Sequence, residues 1–586
     1  MASSGEQREH TVALLDSPAA EVEGEYTIDQ SLDFDGNPAL KHHTGGWRAC
    51  RSVLATEFCY CLAYSGVSQN LVTYLTTVLR ESNVAAAKNV STWQATCFLT
   101  PIAGAVVADS YWGRYRTMVV SCSMGVAGLV VIALSANLPL LTKNAELFTG
   151  FPTLVSNLAS AQESVLFLGL YMTAFGLGGL RPCLMSFGAD QFDHNDPPER
   201  ASKGSFFNWY VFTMSCASVV SSTCVVWAQD HFGWPLGLAI PAAVLAVGLA
   251  CLVSASRRYR FQRTQGSPLT RVCQVLVAAV CKFNAQQPAD RSLLYELPED
   301  GSMKGIQRIE HTNDLQFFDK AAIVLASEAA EEEATLPPAR NPWRLCIVTQ
   351  VEELKILVRM VPVWASIVFY YAVSAQVSST FVEQGMAMDT NVGPVRVPPA
   401  SMSAFDLLTV VVLVPLYDRL LVPAARRLTG RAKGISDLQR IGAGLAMPAL
   451  AMAAAALVET ERLRRAPSGP AMSVLWQAPQ YVLMGVGDVL ATVGQLDFFY
   501  SQAPASMKTV CTALGFLVMA AGSYLSSFLL AAVEWATAAG GRPGWIPDDL
   551  DQGHLDRFFW MMSGLACLNL VAFGSCAVRY NSRKAS

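Results

Sequence analysis

Apolar residues dominate this chain in long stretches, cut by short polar breaks and by glycine- and proline-rich turns. A helix crossing a bilayer needs about 20 mostly apolar residues. That ruler fits twelve stretches, near 50–80, 91–112, 116–138, 162–187, 204–228, 233–255, 350–382, 399–423, 436–459, 471–499, 508–535 and 556–579. Glycines and prolines inside several of them are compatible with spanning helices, because neighbouring helices satisfy the freed backbone groups. Two polar regions interrupt the pattern. Residues 1–46 are acidic (Glu6, Glu9, Asp16, Glu21, Glu23 and Glu25 among them) and lack the basic start and short apolar run of a cleavable signal peptide. The first apolar stretch is therefore expected to stay as an anchor. Residues 256–349 are the one long connection, and they divide the spans six and six. This connection opens on Arg257, Arg258, Arg260 and Arg263 and passes through Leu269 to Phe283, apolar enough for an amphipathic helix lying on the membrane. It ends in Glu328, Glu331, Glu332 and Glu333 before Pro337-Pro338, which reads as a solvated linker.

Composition agrees with immersion in lipid. Of 586 residues, 52% are hydrophobic and 15% charged, against about 25% charged in soluble domains, and the mean hydropathy is +0.32. A net charge of −4 gives no attraction to nucleic acid. Most of the fifteen cysteines sit within apolar stretches without zinc spacing, as small apolar fillers. Basic residues set the expected orientation. Arg114, Arg116, Arg257, Arg258, Arg419, Arg426, Arg427, Arg431, Lys433, Arg579 and Lys584 gather in one set of connections, with Arg462, Arg464 and Arg465 as the contrary cluster. Both termini are thus expected in the cytoplasm. Asn89-Val90-Ser91 matches a glycosylation sequon beside the second span.

Two six-span halves joined by a cytoplasmic linker imply an all-α membrane protein of the major facilitator type, with its site between the halves at mid-membrane. The expected division is a tail (1–46), a six-helix bundle (47–255), a linker with a lateral helix (256–349), a second six-helix bundle (350–580) and a short tail (581–586). The expected state is a monomer in contact with lipid.

Charges inside spans carry the chemistry, since each costs at least about 2.5–3.5 kcal/mol near the bilayer centre. Three lie well inside: Glu57 in the first span, Arg181 in the fourth and Asp488 in the tenth. Glu57 shares a helix face with Tyr60, Cys61, Tyr64 and Ser68. Two acids against one arginine leave −1, which uptake of a proton or of a cationic solute group would neutralise. The competing reading is that the three merely hold helices together. Asp109 and Arg114, at the cytoplasmic end of the second span, are expected to latch one conformation, as are Asp190, Asp193, Asp418, Arg419 and Asp497 at other cytoplasmic ends. Asn208 and Gln376 are candidate cavity residues, because an amide in a span needs a hydrogen-bond partner. No nucleophile–base pair or metal-ligand set appears in the spans, so an enzyme is the least favoured class.

Several stretches resemble the plant nitrate/peptide transporter family, the proton-coupled oligopeptide branch of the major facilitator superfamily. They are Leu177-Gly-Gly-Leu-Arg181-Pro182, Ser186-Phe-Gly-Ala-Asp190-Gln191-Phe192-Asp193, Ser205-Phe-Phe-Asn208-Trp209-Tyr210, Phe381-Val-Glu-Gln384-Gly385, Tyr417-Asp418-Arg419 and Gly494-Gln495-Leu-Asp497-Phe-Phe-Tyr500. The likeness runs from about residue 40 to 580 and is greatest to the peptide-transporting subgroup. It implies alternating-access transport of a small polar solute, a di- or tripeptide first and nitrate or another metabolite next, with no bound cofactor and a proton as the coupling ion. It implies that Arg181 meets a solute carboxylate, bidentately where geometry allows, and that Asp488 meets a peptide amino group. Tyr64, Asn208 and Gln376 complete the candidate solute set, and Glu57 is the candidate proton-coupling group. The family's Glu-x-x-Glu-Arg reads Glu57-Phe58-Cys59-Tyr60-Cys61 here, so only the first glutamate remains. A facilitator without proton drive and a solute-binding receptor that no longer transports are therefore rival readings. Ser374 stands where a dedicated nitrate site would carry histidine. The membrane is expected to be plasma or vacuolar.

Overall fold

The computed structural model describes residues 26–29, 31–81, 83–149, 152–193, 195–262, 267–285, 294–296, 309–324, 341–430, 434–466, 472–537, 544–547 and 550–580. The acidic residues of 1–25, the run 328–333 with Pro337-Pro338, Arg263, Arg431, Lys433 and the tail 581–586 lie outside the described residues.

The first half contributes α1 (Gly46–Ser68), α2 (Asn83–Val107), α3 (Arg114–Thr149), α4 (Pro152–Ala189), α5 (Pro197–Val220, continued by a π turn Ser221–Val225) and α6 (Trp234–Ser254). The linker contributes α7 (Pro268–Cys281). The second half contributes α8 (Val348–Ser374), α9 (Ala404–Leu416), α10 (Asp437–Arg465), α11 (Ala478–Gly487, a π turn Asp488–Thr492, then Val493–Gln502), α12 (Lys508–Thr537) and α13 (Leu555–Arg579). A two-stranded hairpin, β1 (Asn391–Val392) with β2 (Val395–Arg396), precedes α9. Helix is the expected answer for these apolar runs, since lipid offers no partner for backbone N–H and C=O groups. Polar residues mark the ends. Ser436 and Gln439 form a reciprocal capping box at the start of α10, and Ser267 caps α7 ahead of Pro268.

Among the described residues, ten of these twelve helices, with their continuing turns, are apolar enough, by length and composition, to cross a membrane. The other two are α1, which carries Arg48, Arg51 and Glu57, and α2, which opens on Asn83, Lys88 and Asn89. Asn89 lies within the helix and donates to Glu81 at 3.0 Å. The fold is the all-α, two-bundle major facilitator architecture. In the first bundle α3 packs on α4, α1 on α5 and α6, and α2 on α4; in the second, α10 packs on α11 and α13, and α8 on α12. Glycine permits the closest approach: a Cβ on Gly104 of α2 would stand 2.3 Å from the Gly179 Cα of α4. That contact fixes the α4 segment carrying Arg181. The bundles meet where α2 and α4 touch α12 and where α5 touches α9 and α11. A separate apolar cluster, including Met185, Phe207, Tyr210, Val414, Val493 and Phe516, fills this seam. Apolar side chains such as Leu134, Phe175, Val412, Phe528 and Leu568 face outward.

Helix α7 buries Val275, Ala278 and Ala279 against Ala321, Ala322, Val351 and Leu354. Leu269, Leu276, Val277 and Val280 on its other side are exposed. Residues 309–324 are held to α8 by ions: buried Lys355 meets Asp319 at 2.7 Å and Glu352 at 2.9 Å, and Arg359 meets Glu352 at 3.2 Å. Burial pushes the Cys346 thiol beside this region up to about 11, which keeps it neutral. All fifteen cysteines are free thiols, eleven of them in the buried or half-buried interior.

Candidate solute site and inter-bundle latch

Glu57 on α1 is fully buried. One carboxylate oxygen accepts from the Cys61 thiol at 3.2 Å, one turn along the same helix, and the other has no partner. Arg181 lies within electrostatic reach of Glu57, Tyr60, Cys61 and Tyr210. It makes no ion pair among the described residues. Its Nε is buried without a hydrogen bond, and its guanidinium carbon sits 4.3 Å from the centroid of the Phe516 ring on α12. The Tyr210 hydroxyl lies near Glu57 but makes no hydrogen bond of good geometry. Tyr64 stacks on Trp93 of α2, with centroids 5.7 Å apart, and also lies within reach of the Arg181 charge.

In the second bundle Asp488 occupies the π turn of α11 and accepts from the Tyr370 hydroxyl at 2.6 Å and from Thr492 at 3.4 Å. Tyr371, bonded to Thr492 at 3.0 Å, lies within electrostatic reach of both Asp488 and Arg181. The charges of the two bundles thus flank one tyrosine. Sequence reasoning missed Asp406 on α9, which lies within reach of Asp488 and has a buried, unpartnered Oδ1. With it the central charge is three acids against one arginine, −2 rather than the expected −1. The signal was present, an acid in the apolar run Ala404-Phe405-Asp406-Leu407, but it stood close to the expected start of the span. Buried polar atoms are nearly always paired. Orphans on Glu57, Arg181 and Tyr210 on one side, and on Asp406 on the other, mark this seam as a place built for polar contact.

Two expectations need correction. Gln376 is not a cavity residue: its amide donates to Ala372 O and Ser526 Oγ and accepts from Thr380, which spends it on joining α8 to α12. Asn208 does border a cavity, but one that it shares with Asp418 and Arg440 rather than with Arg181 and Asp488. It is 2% exposed, donates to Asp418 at 2.8 Å and accepts from Arg440 at 2.8 Å, on the side of the molecule that bears the linker. A sequence shows that a buried amide needs partners, but not which helix supplies them.

The same side carries the joints between bundles. Asp418 accepts from Ser205, Asn208 and Trp209 of α5. Asp109, in the π turn Ala108–Trp112 that ends α2, accepts from the Thr509 N–H at 3.0 Å, the Val510 N–H at 3.1 Å and the Thr509 hydroxyl at 2.6 Å. It therefore caps the N-terminus of α12 in the opposite bundle, where the helix dipole favours an acid. Gly113, at φ +77°, makes the turn that brings Arg114 back onto this joint. Arg114 donates to Thr509 at 2.7 Å and pairs with Asp109 at 3.4 Å and with Asp190. Asp190 also pairs with Lys508 at 3.2 Å and accepts from Tyr500. A cavity of about 440 Å³ borders this joint, lined by Trp112, Arg116 and Lys508 among others.

Comparison with known proteins agrees with this architecture. The POT family profile matches residues 115–546. The Arabidopsis thaliana proteins NRT1/PTR FAMILY 8.5 and 8.3 are 48% and 47% identical, over 95% and 96% of this chain and 94% and 96% of theirs. Among solved structures, an auto-inhibited POT family peptide transporter superposes with a TM-score of 0.57 at 21% identity, covering 92% of this chain and 98% of its own. A POT family transporter in complex with 5-aminolevulinic acid superposes at 0.55 and 14% identity, covering 92% and 99%. A multi-pass helical membrane protein with an ionic seam between two six-helix bundles, matched along nearly its whole length by such relatives, is a transporter of the POT family.

Proposed function

We propose that this chain carries a di- or tripeptide through the seam between its bundles by alternating access, driven by protons. The observation that carries the reading is the opposed charge across that seam: Arg181, free of any ion pair among the described residues, on one bundle and Asp488 on the other. A zwitterionic peptide has a carboxylate for the first and an ammonium for the second. Tyr64 lines the Arg181 side, and Glu57 is the coupling carboxyl nearest the arginine. Asp109 and Arg114 act as the gate, holding the linker side closed while the other side exchanges solute. Both termini face the cytoplasm, in a plasma or vacuolar membrane. Support also comes from the solved relatives, one of which is described in complex with a conjugated peptide. Arg181→Ala and Asp488→Ala are each expected to abolish dipeptide uptake while the protein stays in the membrane; normal uptake in either overturns this site.

Tyr60 and Cys61, standing where the family pattern has glutamate and arginine, favour a second reading, a facilitator without proton drive. Uptake with and without an inward proton gradient separates the two, because a facilitator equilibrates its solute and never accumulates it.

A further inference from the structure

The two carboxyls of the second bundle lie within electrostatic reach of each other, with few donors to share. Asp488 takes the Tyr370 hydroxyl and a longer bond from Thr492. Asp406 has a buried Oδ1 with no partner, and its own carbonyl and carboxyl pack against Gly485, one turn before Asp488. Tyr481, fully buried one further turn back, lies within reach of the Asp406 charge, and its hydroxyl has no partner. The neighbouring helices bring no cation that pairs with either acid among the described residues. From α8 come Tyr370 and Tyr371. On α10, Arg440 is bonded to Asn208 and to Val489 O, and Arg462, Arg464 and Arg465 pair with Glu459, Asp551 and Glu461. On α5, Asn208 and Trp209 donate to Asp418. On α4, Arg181 lies over Phe516. Two unpaired carboxylates at this depth repel one another and are poorly solvated, so one of them requires a positive occupant.

We propose that Asp406 and Asp488 together hold one exchangeable proton of the transport cycle, in the bundle opposite Glu57. Uptake forms one O–H bond on Asp406 with a proton from water on the entry side, taking the pair from −2 to −1. Release returns that proton to water on the exit side. This site supplies a titrating group that the depleted first-helix motif lacks, and it rests on the proton-driven reading above.

The test uses the full-length protein in sodium-free liposomes with dialanine as solute. The readout is accumulation driven by an inward proton gradient, divided by counterflow exchange at equal pH in the same preparation. Asp406→Asn is expected to lower that ratio by about fivefold or more, and Asp406→Glu to restore it. A ratio equal to the wild type in Asp406→Asn overturns the proposal, as does full restoration of wild-type drive by a sodium gradient in place of protons. If the wild-type protein moves no dialanine, the peptide reading fails by itself, and infrared difference spectra between acid and neutral pH decide the proton site. A protonated-carboxyl band lost in Asp406→Asn is expected, and an unchanged band overturns it. If Asp406→Asn does not reach the membrane, Asp406→Glu must shift the pH midpoint of that band; an unshifted midpoint has the same overturning force.

Discussion

Arg181 spends its charge on an aromatic face rather than on a carboxylate. A cation over Phe516 gains about 0.5–2 kcal/mol, and a solute carboxylate must compete with it. Phe516→Ala should therefore tighten binding of a dipeptide by about 2- to 30-fold, read by calorimetry on the purified protein; weaker or unchanged binding shows that the ring does not restrain the arginine. Glu57, Arg181 and Asp488 were legible in the sequence because a charge deep in an apolar run has few structural excuses. Gln376 and Asn208 were not, since an amide satisfied by a neighbouring helix reads the same as one facing a cavity. Asp406 fell between these cases, hidden near the start of its span.

At the level of elements, three π turns coincide with the working acids: Ala108–Trp112 holds Asp109, Tyr417–Leu421 holds Asp418 and Asp488–Thr492 begins with Asp488. An extra residue in a helical turn re-aims a side chain and frees backbone groups, which is why such turns gather at functional sites. The long apolar runs announced the helices, but nothing in composition marks one additional residue in a turn, so these stayed invisible until the coordinates placed them. The latch follows from one of them. Losing a cap costs about 0.5–2 kcal/mol, so Asp109→Ala should shift the balance toward the state open on the linker side by about 2- to 30-fold. Distances between spin labels on the linker-side ends of α2 and α12 measure it, and an unmoved distribution removes Asp109 from the gate.

Across the whole molecule, the six-and-six division followed from a single long polar connection, and the arrangement of helices agrees with it. What that connection does was less apparent. Its pattern offered no reading of residues 309–324, which bury Asp319 against Lys355 beside Glu352 at the foot of α8. Charge patterns distinguish solvated from paired acids only when the partner is adjacent in sequence, and here Glu352 and Lys355 lie some 35 residues downstream of Asp319. Glu352→Ala leaves a buried lysine with half its counter-charge, and removing one member of such a group costs about 3–5 kcal/mol. The thermal midpoint of the detergent-purified protein should fall accordingly, and an unchanged midpoint means the clamp contributes nothing.

The cap that Asp109 lends to α12 has a further consequence. In the proposed cycle, each parting of the bundles takes a carboxylate from two amide protons, which must be wetted instead. Trading that carboxylate for water costs only about 0.5–2 kcal/mol, so such a fastener releases without a deep energetic trap and re-engages as soon as the solvent drains. A rocking machine that cycles continuously is best served by joints of this sort, firm enough to define a closed state and shallow enough to leave it.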